Sequence, residues 1–163
     1  MNIKDILERN TVKKVNIYLK NIDEKYEIIS LDKTARTAED AAKSLNVEVG
    51  AIVKSLIFKS IDNSFYYLCL TSGDKRISIN KLSKINNLEI IKANADEIKE
   101  ITGFSIGGVP PLAHKNPLKT YLDKSLSRFE NLYAAGGHPH AIFKINFNEL
   151  LKVTKGEIVD IAD

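Results

Sequence analysis

Cysteine is nearly absent from these 163 residues: Cys69 stands alone. A single thiol excludes an internal disulfide and a cysteine-based zinc site, and it fits a reducing, cytoplasmic setting. Arginine is scarce too, found only at Arg9, Arg36, Arg76 and Arg128. The other fixed cations are lysines, which meet phosphates as point charges but lack the planar fork that reads guanine edges. No apolar run is long enough to span a membrane. The stretch from Met1 to Glu8 mixes charge into its apolar positions, unlike a secretion signal. Repeats, long linkers and low-complexity segments are also missing. Net charge is +3, from 24 basic and 21 acidic residues, too small a surplus to demand a nucleic-acid partner.

What is present reads as one domain over residues 1–163, with residues 1–11 as an N-terminal extension. Helical spacing runs from Val12 to Leu19. Thr37 with Asp40, Asn94 with Glu97 and Asn146 with Glu149 have the spacing of helix-starting boxes. The helices they start end near Asn46, Gly103 and Gly156. A further helix is expected near Ser78 to Ile85. Apolar strands are expected at Tyr26–Leu31, Ile52–Lys59, Phe65–Leu70, Leu88–Lys92, Leu118–Leu122, Leu132–Ala135, Ala141–Ile145 and Ile158–Ile161, with a hairpin turn at residues 61–64 and a turn or short helix at Ser125 to Phe129. Irregular interspersion with hairpin-like connections predicts an α+β fold with a mixed, largely antiparallel sheet.

Four features carry candidate chemistry. Gly107-Gly108-Val109-Pro110-Pro111 specifies a bent, rigid loop, since glycine admits unusual backbone angles and proline fixes φ. Its N–H groups lie at Gly107, Gly108 and Val109 and suit a carbonyl or an anion. Lys54 is a charge on the strand face shared by Ile52, Leu56 and Phe58, so it either snorkels outward or lines a pocket. Gly103-Phe104-Ser105-Ile106-Gly107 matches the nucleophile-elbow pattern, with Asp123 and His138 following in triad order. However, the double proline interrupts the helix an elbow needs. His114, His138 and His140 are the only histidines. A three-histidine metal site is conceivable, but Pro139 would make His138 and His140 diverge in an extended chain. Lys75-Arg76, Lys81-Lys84 and Lys115 with Lys119 form modest basic clusters whose simplest reading is a solvated face.

Three blocks in order resemble the YbaK/ProX family of aminoacyl-tRNA editing domains. They are Ile52-Val53-Lys54-Ser55-Leu56-Ile57; the GxxxP loop at Gly107 to Pro111, continuing through Leu112-Ala113-His114 and Tyr121 to Leu126; and Ala134-Ala135-Gly136-Gly137-His138. The resemblance runs from about Val12 to Asp160. It implies a YbaK/ProRS-associated-domain-like fold, a mixed, mostly antiparallel, barrel-like sheet of about six or seven strands flanked by helices. It also implies hydrolysis of the ester joining a wrongly attached amino acid to the 3′-terminal adenosine of a tRNA. Because the chain has no room for synthetase domains, it resembles the free-standing, trans-acting type. The implied catalytic residues are Lys54, Gly107, Gly108 and Val109. The implied substrate-binding residues are Pro110, Pro111, His114, Asp123, Gly136, Gly137 and His138. No metal or other cofactor is expected.

Ester hydrolysis builds negative charge on the carbonyl oxygen, and fixed backbone N–H donors stabilise it without reorganising. A lysine in the pocket can anchor a phosphate or orient the aminoacyl group. The resemblance implies that the attacking group is water or a hydroxyl of the substrate. The expected partners are a mischarged aminoacyl-tRNA carrying alanine, cysteine or serine, with tRNA(Pro) the leading acceptor, and a synthetase such as prolyl-tRNA synthetase; no membrane is expected. Departures from the family pattern fall at Ala113, where many relatives carry glycine, and at Gly137-His138, which replaces a small polar pair. These positions are expected to shape the amino-acid pocket. Two alternatives are a non-catalytic module that binds tRNA ends or a synthetase, and a serine esterase using Ser105, Asp123 and His138.

Overall fold

The computed structural model describes residues 3–31 and 37–163. Among the described residues, six α-helices and eight strands follow in chain order. The helices are α1 (Ile3–Leu7), α2 (Asn10–Ile22), α3 (Ala38–Leu45), α4 (Ile79–Asn86), α5 (Ala95–Thr102) and α6 (Phe147–Thr154). The strands are β1 (Ile28–Ser30), β2 (Val53–Ser60), β3 (Tyr66–Ser72), β4 (Ile90–Lys92), β5 (Lys119–Asp123), β6 (Asn131–Ala135), β7 (Ala141–Asn146) and β8 (Glu157–Val159). No helix among the described residues is long and apolar enough to cross a membrane.

Local chemistry explains most helix ends. The Thr37 hydroxyl accepts from Asp40 N, and the Asn94 side chain and Glu97 satisfy each other's backbone N–H in a full capping box. Asn46 and Gly103 close α3 and α5 in the left-handed region, as their positions predict. The exception is α6, whose left-handed cap is Lys155 and not Gly156. Gly156 is needed for close approach, because a Cβ there would stand 2.3 Å from a Leu122 methyl.

The strands form two sheets. One has the order β1-β7-β6 and the other β4-β2-β3-β5-β8. Four pairings are antiparallel, while β3–β5 and β5–β8 are parallel. The mixed α+β expectation therefore holds, with eight strands in place of six or seven. The barrel-like closure is not found. Among the described residues one parallel bridge, between Ile52 and Tyr133, links the backbones of the two sheets, and no ring of strands closes.

Strand β3 separates the two larger of the three apolar cores among the described residues. It is buried along nearly its whole length, and alternate side chains point to opposite faces. Leu68 and Leu70 join the main core, with Val12, Val15 and Leu19 of α2 and Phe143 of β7. Tyr67 and Cys69 join a second core with Leu82 of α4, Tyr121 and Ile161. Burial pushes the Cys69 thiol far above its ordinary pKa, which makes it an inert apolar filler. Of the stretch 1–11, residues 1 and 2 lie outside the described residues. Ile6 is 1% exposed and packs in the main core.

Candidate active site

The site begins with a gap in hydrogen bonding. On its outer edge, β2 pairs with β4 only over Phe58–Ser60, and the bridge at Ile52 meets β6 at the other end. Between these points the edge has no partner strand among the described residues. A cavity of about 430 Å³ opens there. Its walls come from β2, from Ile98 of α5, from the glycine loop at Ile106, Gly107 and Val109, and from Tyr133, Ala135 and Ile142 of the smaller sheet.

The cavity follows the open edge of β2, where residues 53–58 of both strand faces line it, Lys54 among them. The side chain is half-buried, and Nζ donates to the carbonyl of Lys75 in the β3–α4 loop. Burial lowers the ammonium's pKa; Arg76 lowers it further, while the Glu39 and Asp74 carboxylates pull it back. Lys54 is thus a partly desolvated cation on a mostly apolar lining that also holds Lys92, Ser55 and Thr37. Sequence spacing left an outward, snorkelling lysine equally open; its place in the cavity wall favours the pocket.

Ser55 shares the open edge of β2 with Lys54. Backbone polar groups alternate sides along a strand, and the Ile57 carbonyl on this edge accepts from Ala93 N. Ser55 turns its N–H and C=O the same way, into the gap. Its hydroxyl is buried and unbonded among the described residues. Sequence held no signal for this, because the missing neighbour strand is a property of the whole sheet.

The glycine loop splits into donors and support. Gly107 lies at φ 88, and Val109 is 4% exposed. Both line the cavity, and neither N–H has a hydrogen-bond acceptor among the described residues. Gly108 differs from the expectation: its N–H donates to the Ser105 carbonyl at 3.0 Å, closing a turn. The free donors are therefore Gly107 and Val109. Gly108 instead presses against the second glycine turn, where a Cβ on it would stand 2.8 Å from the His138 Cα. Gly137 lies at φ 101, and a Cβ there would stand 2.6 Å from the Thr11 carbonyl oxygen. Gly137 leaves room for the first turn of α2, which passes close by.

The remaining expected substrate-binding residues do not line the cavity. Pro110 and Pro111 are buried behind the loop. His114 Nε2 donates to the Pro110 carbonyl at 2.7 Å, and its ring meets Phe104 edge-on. Burial lowers the His114 pKa; Lys14 lowers it further against the bond to Pro110. Ala113 has φ 66, which explains why glycine suits that position: the requirement is on the backbone. Gly136 is packed at the end of β6, with its N–H on the Ala141 carbonyl. His138 Nδ1 accepts from His140 N.

Asp123 is 2% exposed, and its carboxylate accepts from Ser125 N and Ile161 N. No hydrogen bond joins Asp123, His138 and Ser105 among the described residues, so the structure does not assemble the triad of the esterase reading. Pro139 does not splay the two histidines apart either. It turns the chain, and the rings of His138 and His140 meet edge-to-face at 5.3 Å. No group of three or more metal-binding side chains gathers among the described residues.

A structure described as that of a candidate trans-editing enzyme for prolyl-tRNA synthetase is 35% identical, with a TM-score of 0.89, covering 95% of this chain and 98% of its own. The proline–tRNA ligase of Thermosipho melanesiensis is 32% identical over 127 residues, which are 77% of this chain and 22% of the ligase. EbsC of Enterococcus faecalis, named as a candidate Cys-tRNA(Pro)/Cys-tRNA(Cys) deacylase, is 23% identical over 127 residues, 77% of each chain. Residues 32–153 match the family model described as the aminoacyl-tRNA editing domain, and the chain belongs to that family.

Proposed function

We propose that this chain is a trans-acting aminoacyl-tRNA deacylase, acting as a single domain, that hydrolyses the ester of a small mischarged amino acid of the alanine, cysteine or serine class, with tRNA(Pro) as the leading acceptor. The observation that carries this reading is one cavity lined both by Lys54 and by the loop residues Gly107 and Val109, whose N–H groups are unbonded among the described residues. Two amides on a rigid loop stabilise the oxyanion that forms as the ester carbonyl is attacked. Lys54 supplies positive charge where water is partly excluded, which strengthens its hold on a phosphate or on the aminoacyl group. The attacking oxygen comes from water or from a hydroxyl of the terminal adenosine, so no protein nucleophile is needed. The names of the relatives support a mischarged tRNA as substrate and a prolyl-tRNA synthetase as functional partner.

The test is a deacylation panel. Purified protein meets tRNA(Pro) charged with alanine, cysteine, serine or threonine, beside Lys54→Ala. The expected result is hydrolysis of at least one ester, cut about 100-fold in the variant while its circular dichroism is kept. Binding of the charged tRNAs without hydrolysis would replace the enzyme by a binding module.

A further inference from the structure

We infer that residues 157–163 form a strap that positions Lys54: Asp123 anchors it at Ile161, the strap clasps Arg76 and Ser78, and the Lys75 carbonyl thus held sets where the Lys54 ammonium stands. That Lys54 acts on substrate rests on the function proposed above; the mechanical relation does not.

The relation is a continuous run of hydrogen bonds. The acceptor of the Lys54 ammonium, the Lys75 carbonyl, belongs to a loop and not to a strand. An acceptor is only as fixed as the segment that carries it. This loop is gripped from two sides. On one, Arg128 makes a two-pronged contact with the Asp74 carboxylate at 2.7 and 3.0 Å, a geometry that defines direction as well as distance. On the other, Arg76 and Asp163 exchange both backbone hydrogen bonds, at 3.3 and 2.8 Å, and Ser78 N donates to the Ile161 carbonyl at 2.7 Å. The residues flanking Lys75 on both sides are therefore tied down.

The strap in turn needs an anchor. Ile161 is fully buried in the second core, and its N–H donates to Asp123 Oδ1 at 2.9 Å. Lys81 reinforces the outer side, with Nζ donating to the Ala162 carbonyl at 2.8 Å and pairing with Asp160 and Asp163. This gives Asp123 a role beside, not in, the cavity. A buried carboxylate that satisfies one amide of its own turn and one from a distant segment fixes where the two meet. Residues 157–163 also lie beyond the stretch that matches the family model, 32–153.

The experiment compares the wild-type chain with a chain ending at Ala162, which loses only the Arg76–Asp163 clasp and one ion pair, and with Asp123→Asn. Thermal melts identify the folded variants, and hydrogen exchange at the Arg76 amide reports release of the loop. NMR titration of the Lys54 side chain then reads its environment without reference to any activity. Release of the strap is expected to move the Lys54 titration toward that of an ordinary lysine. It is also expected to lower kcat for the best ester about tenfold with little change in KM. An unchanged Lys54 titration in a folded variant whose Arg76 amide has become exchangeable would overturn the inference. A wild-type protein inactive on every ester would sink the proposed function, yet the NMR comparison would still decide the strap.

Discussion

The backbone of Gly108 lies against that of His138 so closely that one added methyl would stand 2.8 Å from the His138 Cα and 2.9 Å from its nitrogen. The two glycine turns are thus a single packed unit, with the donor loop leaning on the turn between β6 and β7. Backbone cannot rotate aside as a flexible side chain can, so Gly108→Ala must separate the turns. The expected cost is about 1–3 kcal/mol, a fall in Tm of about 2–12 °C for a domain of this size. Deacylation should drop with it, because Gly107 and Val109 flank the displaced residue. A variant with wild-type Tm and activity would show that the turns are not packed in this way.

Ser105 supplies a carbonyl to the turn and its side chain lies outside the cavity. Ser105→Ala should keep deacylation within about twofold of wild type, since no free energy of the transition state runs through the hydroxyl. Loss of most activity with the fold intact would restore the serine as nucleophile.

His114 gives a pH prediction with a definite sign. Burial, aided by Lys14, holds its pKa below the ordinary 6.5 against the opposing bond to Pro110. As pH falls below 6.5, the unfolded chain takes up the proton and the folded one does not. Stability therefore declines from about pH 6.5 down to the lowered folded pKa, where the loss levels off. Glutamine in place of His114 keeps an N–H for the Pro110 carbonyl but does not titrate. The difference in Tm between wild type and His114→Gln should shift in favour of the variant as pH drops from 7 to 5. A constant difference would mean that His114 titrates normally in the folded state.

The sequence signals that proved reliable were local ones. Asn94 and Glu97 are three residues apart, and the box they predict is formed in full. The alternation that puts Lys54 on the face of Leu56 and Phe58 needs only the strand to exist. Signals failed where a distant segment decides. The Asp123–Ile161 bond joins residues 38 apart in sequence, and the parallel β5–β8 pairing behind it leaves no periodicity of its own. Gly108 looked like a free donor because composition shows where N–H groups are, not whether a neighbouring carbonyl takes them up. Gly137 and Ala113 looked like pocket residues, yet one is set by the passage of Thr11 and the other by a backbone angle. The cavity could not be read at all, since it arises where two neighbours of β2 fail to meet.

Thr71 tests how the wall opposite the cavity is built. It faces Lys54 across the β2–β3 register, is fully buried, and its hydroxyl has no bonding partner among the described residues. A buried hydroxyl that pairs with nothing costs about 1–3 kcal/mol. Valine has nearly the same shape and no polar atom to desolvate. Thr71→Val should therefore stabilise the protein by about 1 kcal/mol, a rise in Tm of about 2–4 °C. Because the Lys54 ammonium is held by the Lys75 carbonyl and not by this hydroxyl, deacylation should stay near the wild-type rate. Thermal melts and the ester panel on the same preparation check both halves. A lower Tm would mean that the hydroxyl is satisfied in solution. A loss of activity at unchanged Tm would make Thr71 a second support for Lys54.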